Sequence, residues 1–266
     1  MLIRAAREPG RKDRCAVAVM AKASIPGRTK TRLSPPLRPA EASELNTAFL
    51  LDILGNLSAA SESVDIATFM AFGPPGSFPF FEDHFPAHIG LMEIWYPNFG
   101  ECLRETTDAI FALGYGAAVV LNSDSPTLPT RNLVMAAKAL AEPGDRMVLG
   151  PSEDGGYYLL GMNRPHARLY ADISWSTDSV KAQTLERAAE LNLETVLLPS
   201  WYDVDDVASL RVVVRETLLE RRFERGVSPY VARRTAATLR RMLRSEGFAE
   251  RIDLSLGEGL AALRSA

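Results

Sequence analysis

Short apolar runs punctuate this chain, and polar loops rich in Gly and Pro separate them. The runs at 15–21, 65–72, 89–95, 117–121, 146–150, 157–162 and 194–198 have the length of strands and predict strands. Between them the hydrophobic period lengthens to that of a helix. Leu45, Phe49, Ile53 and Leu57 recur every fourth position and predict a helix over 39–60, with Pro39 suited to its first turn. Further helices are predicted over 101–113 and 130–141, over 177–191 with Ser176 as N-cap, and from Asp205 or Asp206 to about 222. The stretch to Ala266 is helical in character, with Arg233, Arg234, Arg240, Arg241 and Arg244 interleaved with apolar residues. Strands that alternate with helices predict an α/β fold with a mostly parallel sheet. The pattern suggests an α/β body over 15–215, a helical appendage over 216–266 and a flexible basic tail over 1–14.

Composition narrows the function classes. The chain has 266 residues, a formal net charge of −3 and 47% hydrophobic residues, which suits a soluble globular body with a sizeable core. Near-neutral charge gives no support for bulk binding to nucleic acid or acidic membranes. No run approaches the roughly 18 apolar residues of a membrane span. Cys15 and Cys102 have no C-x-x-C spacing, so neither a zinc site nor a disulfide framework follows, and a reducing cytoplasm is the simplest compartment. His84, His88 and His166 form no metal-ligand pattern, because Pro86 argues against a helix joining the first two.

Five pieces carry candidate chemistry. The run at 117–121 ends in Asn122-Ser123-Asp124-Ser125-Pro126, so Asp124 stands at the carboxyl end of a strand, where open α/β sheets bind ligands. A hard cation such as Mg²⁺ takes one or two such carboxylates plus substrate phosphates; a turn or helix cap would explain the residue as well. After the first strand comes a loop opened by Lys22 and containing Gly27-Arg28-Thr29-Lys30-Thr31-Arg32. Its glycine permits a tight path and its cations can neutralise phosphates, although it is neither a Walker A motif nor G-x-G-x-x-G. Ser123 and Lys22 join this loop as candidate phosphate contacts. Asp154-Gly155-Gly156-Tyr157 suggests close backbone approach to a ligand, with an ordinary Asp-Gly turn as the competing explanation. Trp175-Ser176-Thr177 could cap a helix or receive an anion. Asp203, Asp205 and Asp206 are more carboxylates than one cap needs, and a bound cation or the basic loop would relieve their repulsion.

Taken in order, K-A-S-I-P-G-R-T-K-T-R-L, S-D-S-P, G-P-S-E-D-G-G-Y-Y-L-L-G, W-S-T and Y-D-V-D-D resemble the GT-A-like transferases of the radical-SAM/selenodomain-associated type. The resemblance covers roughly residues 16–214, and the plan is more distantly similar to molybdenum-cofactor and phospholactate guanylyltransferases and to sugar-acid cytidylyltransferases. It implies a nucleotide-diphospho-sugar transferase fold and Mg²⁺ or Mn²⁺ on Asp124, with Asp205 as second ligand and Asp203 as fallback. It implies phosphate binding by Arg28, Lys30 and Arg32, and a sugar or acceptor side lined by Asp154, Gly155, Gly156 and Tyr157. Two positions depart from the pattern: Asn122 where glycine is usual, and Cys102 where an arginine is expected. The activity implied is metal-dependent transfer from a nucleotide sugar to a small-molecule acceptor, with Asp154 orienting the acceptor. Nucleotidyl transfer from a triphosphate is the alternative, and a non-catalytic nucleotide-binding protein is a third reading.

Overall fold

A computed structural model describes residues 2–4, 11–219 and 227–254. It contains eight strands, β1 (Leu2–Arg4), β2 (Cys15–Lys22), β3 (Ile66–Gly73), β4 (Gly90–Glu93), β5 (Ala117–Leu121), β6 (Arg146–Pro151), β7 (Tyr157–Met162) and β8 (Glu194–Leu197). The helices are α1 (Pro39–Ser61), α2 (Phe78–His84), α3 (Phe99–Ala112), α4 (Thr130–Ala141), α5 (Val180–Glu190), α6 (Val207–Leu219), α7 (Arg233–Arg244) and α8 (Phe248–Arg251).

The strands form one sheet in the order β1-β4-β3-β2-β5-β7-β6-β8. The pairs β2–β3, β2–β5, β3–β4 and β6–β8 are parallel, so the expected mostly parallel α/β sheet is borne out. Sequence explains why β2 and β5 lie at its centre. Every residue of Ala-Ala-Val-Val-Leu in β5 is buried, as are the first five of β2, and strands covered on both faces carry unbroken apolar runs. The antiparallel β6–β7 hairpin places β7 beside β5. Phe69 and Tyr115 pack among small side chains in one apolar cluster, and Val120, Leu149, Leu160 and Tyr170 belong to a second.

The chain divides into two compact units. The first, residues 1–22, 57–123 and 130–202, holds the whole sheet. The second, residues 23–56, 124–129 and 203–266, gathers the basic loop, most of α1, the segment after β5 and the C-terminal helices. Within the second unit, Asp52 of α1 accepts hydrogen bonds from the backbone N–H groups of Arg234 and Thr235, fastening the start of α7. Arg251 grips Glu41 and the carbonyl of Pro36, and Arg211 bonds the carbonyl of Ile252. The five arginines singled out on α7 are exposed while Ala236, Leu239, Met242 and Leu243 are buried, the ordinary pattern of a solvated helix face.

Two expectations need correction. The basic tail is not wholly free, because Leu2–Arg4 pairs antiparallel with β4 and Arg11–Asp13 forms a 3-10 turn. The helix expected from 177 begins at Val180, because Ser176 has a left-handed backbone (φ 66°) and Thr177 spends its hydroxyl on the carbonyl of Ser174. Residues 78–84, for which the sequence pattern predicts no element, form α2. The part of the helix expected from Asp205 or Asp206 that extends beyond Leu219 lies outside the described residues.

Candidate active site

The second unit brings together side chains from three segments far apart in sequence. Lys30 leaves the basic loop with its backbone left-handed (φ 53°) and its side chain only 6% exposed. Its Nζ lies 2.6 Å from Asp124 Oδ1 and 3.5 Å from Asp205 Oδ1, and it donates to the carbonyl of Val204 at 2.8 Å. The Phe49 ring lies against the ammonium at 5.2 Å, a cation–π contact. Arg32 is 72% exposed and reaches Asp205 Oδ2 at 3.5 Å.

Local chemistry explains the convergence. The buried Thr29 hydroxyl donates to the carbonyl of Ala23 at 2.6 Å and accepts from the N–H of Ile25, closing the loop on itself. Leu33 is fully buried and anchors the far side, so the intervening Lys30 turns inward. The N–H of Val204 donates to the carbonyl of Asp124 at 2.8 Å, which sets Asp205 beside Asp124. Val204 therefore binds one carboxylate's backbone through its N–H and the shared lysine through its C=O. Burial raises the Asp205 carboxyl above its ordinary value, and the Asp124 charge adds to this while Lys30 and Arg32 oppose it.

Asp206 has a different role. Its carboxylate accepts from the Ser209 N–H at 2.8 Å and the Ser209 hydroxyl at 2.6 Å, an N-terminal cap for α6 that holds its pKa down. The three aspartates thus separate: Asp205 faces Lys30, Asp206 caps, and Asp203 is half-buried two residues earlier. Arg28 and Gly27 are exposed, with Gly27 at φ 75°.

The remaining candidates lie in the sheet unit. Lys22 is exposed at the end of β2 and Ser123 is half-buried after β5. Asp154 Oδ1 accepts from the Ser152 hydroxyl and from the Gly156 N–H at 2.9 Å, the geometry of a local turn. Gly155 (φ 91°) does make a close backbone approach, but to Asp178, whose carbonyl oxygen lies 2.2 Å from where a Cβ would stand. Its own carbonyl accepts from the Lys181 N–H, so the turn docks on the start of α5. The Tyr157 hydroxyl is buried with no hydrogen-bond partner among the described residues, and burial raises its pKa well above the ordinary value. Trp175 and Tyr157 each pack against the second apolar cluster, and Trp175 sits against Gly100, where a Cβ would meet its ring nitrogen at 2.3 Å. Ser176 and Thr177 are exposed. Cys102 is buried and its sulfur accepts from the Tyr96 N–H at 3.3 Å, so the position of the expected arginine is turned to backbone. Burial pushes the Cys15 thiol up to about 12, which makes it inert as a nucleophile.

Residues 56–177 match the family model described as "Uncharacterized protein conserved in bacteria (DUF2064)". The crystal structure of a "putative nucleotide-diphospho-sugar transferase" from Desulfovibrio desulfuricans G20 aligns with a TM-score of 0.71 at 26% identity, over 86% of this chain and 98% of that one. This is a GT-A-like fold of the nucleotide-diphospho-sugar transferase type. A cytidylyltransferase from Leptospira borgpetersenii serovar Hardjo-bovis aligns at 0.49 and 9% identity, over 92% and 99% of the two chains. A CMP:2-keto-3-deoxy-manno-octonic acid synthetase in complex with CTP aligns at 0.48 and 12%, over 75% and 96%. No curated protein matches the sequence. The family match within this transferase-type fold contains Asp124 and the 154–157 and 175–177 segments, whereas Lys30, Arg32 and Asp205 fall outside it.

The donor chemistry at Asp124 and Asp205 fits a hard divalent ion. Both are carboxylates, their side chains are 29% and 35% exposed, and they already face one shared cation. No group of three or more His, Cys, Asp or Glu side chains suited to a metal exists among the described residues, so any such ion would draw its other ligands from substrate and water, as Mg²⁺ commonly does. No helix among the described residues is long and apolar enough to cross a membrane. Sequence reasoning missed Val204, Thr29 and Phe49. The one legible signal was Thr29, a hydroxyl inside a Gly-containing loop.

Proposed function

We propose that this chain is a metal-dependent transferase that uses a nucleotide-diphospho-sugar as donor. The observation that carries the reading is the convergence of Asp124 and Asp205 on Lys30, with Arg32 at the edge of the pair. Asp124 and Asp205 would hold Mg²⁺ or Mn²⁺, which supplies charge neutralisation for a diphosphate leaving group. Arg32 and Arg28, both exposed on the same loop, bind the phosphate oxygens from the protein side. Lys30 keeps the two carboxylates turned toward each other, so the arrangement precedes the ligand rather than forming around it. The likeness to the Desulfovibrio transferase supports this donor class.

The exposed cations of the basic loop also suit a triphosphate, which carries more charge, so nucleotidyl transfer to a phosphorylated acceptor is the competing reading. One assay separates the two. Candidate nucleotide sugars and acceptors are incubated with Mn²⁺ and read for release of nucleoside diphosphate, beside nucleoside triphosphates and phosphorylated acceptors read for pyrophosphate. Release of nucleoside diphosphate supports glycosyl transfer. Pyrophosphate release from triphosphates alone overturns it.

A further inference from the structure

Lys30 is a cation that the site supplies itself. A lysine meant only to wait for phosphate would stand in solvent, as Arg28 and Arg32 do. Lys30 instead has a side chain 6% exposed, two carboxylates and a carbonyl around its ammonium, and an aromatic ring beside them. A left-handed backbone at a non-glycine residue costs free energy, so the inward aim is held by the surrounding loop rather than adopted by chance.

The charges then nearly cancel. Asp124 and Asp205 carry two negative charges, Lys30 carries one positive charge between them, and the Arg32 guanidinium sits at the edge. A bare divalent cation meets no net attraction there and must share its ligands with a resident ammonium. A di- or triphosphate brings the negative charge that balances the surplus. We propose that Lys30 makes divalent-cation binding at Asp124 and Asp205 conditional on a phosphate-bearing ligand. The cation then enters with the phosphates and leaves with them, and the protein does not retain it between turnovers. Coupling of this kind is reciprocal, so the phosphate ligand gains affinity from the cation by the same factor. The inference rests on the reading of Asp124 and Asp205 as cation ligands.

The test is Mn²⁺ retained by the full chain in equilibrium dialysis, with and without inorganic pyrophosphate. The unaltered protein is expected to retain Mn²⁺ roughly tenfold more tightly with pyrophosphate than without. Lys30→Met removes the charge and is expected to bind bare Mn²⁺ about tenfold more tightly than the unaltered protein, whereas Lys30→Arg keeps the charge and gains nothing. Adding Asp124→Asn to Lys30→Met should abolish the gain. Equal retention of bare Mn²⁺ by the unaltered protein and Lys30→Met overturns the inference while leaving the metal reading intact, and so does a gain in Lys30→Arg. If Lys30→Met does not fold, the unaltered protein decides: bare Mn²⁺ held as tightly as Mn²⁺ with pyrophosphate overturns the inference. Failure of every form to retain Mn²⁺ under either condition removes the metal reading and the inference with it.

Discussion

Asp124→Asn keeps the shape of the side chain and removes its charge. Lys30 is then left with the Val204 carbonyl at 2.8 Å and Asp205 at 3.5 Å. Removing one partner of a buried ion pair costs about 3–5 kcal/mol. Two features lower that figure here: Asp124 is 29% exposed, so water already shares its charge, and Asp205 remains to pair the ammonium. The expected loss is about 1–3 kcal/mol. In a chain of this size each kcal/mol moves Tm by about 2–4 °C, so Tm should fall by roughly 2–12 °C. Lys30→Met alone is also destabilising, because it leaves the two carboxylates with only the exposed Arg32 at the edge to offset their repulsion. The double substitution removes one charge of each sign and should cost less than the sum of the singles by about 1–3 kcal/mol. Denaturant unfolding of the four proteins closes this cycle. Additivity within about 0.5 kcal/mol would show that the two side chains do not interact, and the site as described would not exist.

Other outcomes follow from single contacts. Asp206→Ala should cost about 0.5–2 kcal/mol of stability through loss of the α6 cap, with no change in Mn²⁺ binding, which separates it from its neighbour Asp205. Gly155→Ala forces a Cβ to within 2.2 Å of the Asp178 carbonyl oxygen at φ 91° and should destabilise by about 1–3 kcal/mol or more in urea unfolding. Asp52 gives a pH signature. Burial raises its carboxyl above the ordinary aspartate value, against the pull of its bonds to the α7 N–H groups. The native state then keeps this proton to higher pH than the unfolded chain does. Its contribution to stability therefore falls as pH rises through the window just above the ordinary aspartate range, and levels beyond it. Unfolding free energies of the unaltered protein and Asp52→Asn, measured across that window, should differ by a term that declines with pH; a term that rises would refute the assignment.

Much of the fold was legible because burial on two faces writes unbroken apolar runs. The bounds of β5, α4 and β7 agree with expectation, and β2 and α1 differ by one residue. Failures came where no period exists to read. β1 has three residues, too few for alternation, and Phe78-Pro79-Phe80-Phe81 shows no polar face to mark α2 as a helix. Ser176 looked like a cap by residue type, but only its positive φ reveals that it stands outside the helix. At the site, sequence supplied candidate residue types, and the resemblance put Asp205 ahead of Asp203 as the partner of Asp124. What sets Asp205 beside Asp124 is the bond from the Val204 N–H to the Asp124 carbonyl, a pairing of segments far apart in sequence that leaves no local trace. The inward turn of Lys30 has the same origin, since it depends on Asp124 and Val204 arriving from elsewhere.

Ligand-induced stabilisation with and without Mn²⁺ tests the central claim most directly. A ligand at one hundred times its Kd raises stability by about 2.7 kcal/mol, enough to register as a shift in Tm. Across a panel of nucleotides and nucleotide sugars, at least one diphosphate compound should raise Tm only when Mn²⁺ is present, and Asp205→Asn should lose that shift. Stabilisation that is the same without the metal, or that survives in Asp205→Asn, would contradict the account.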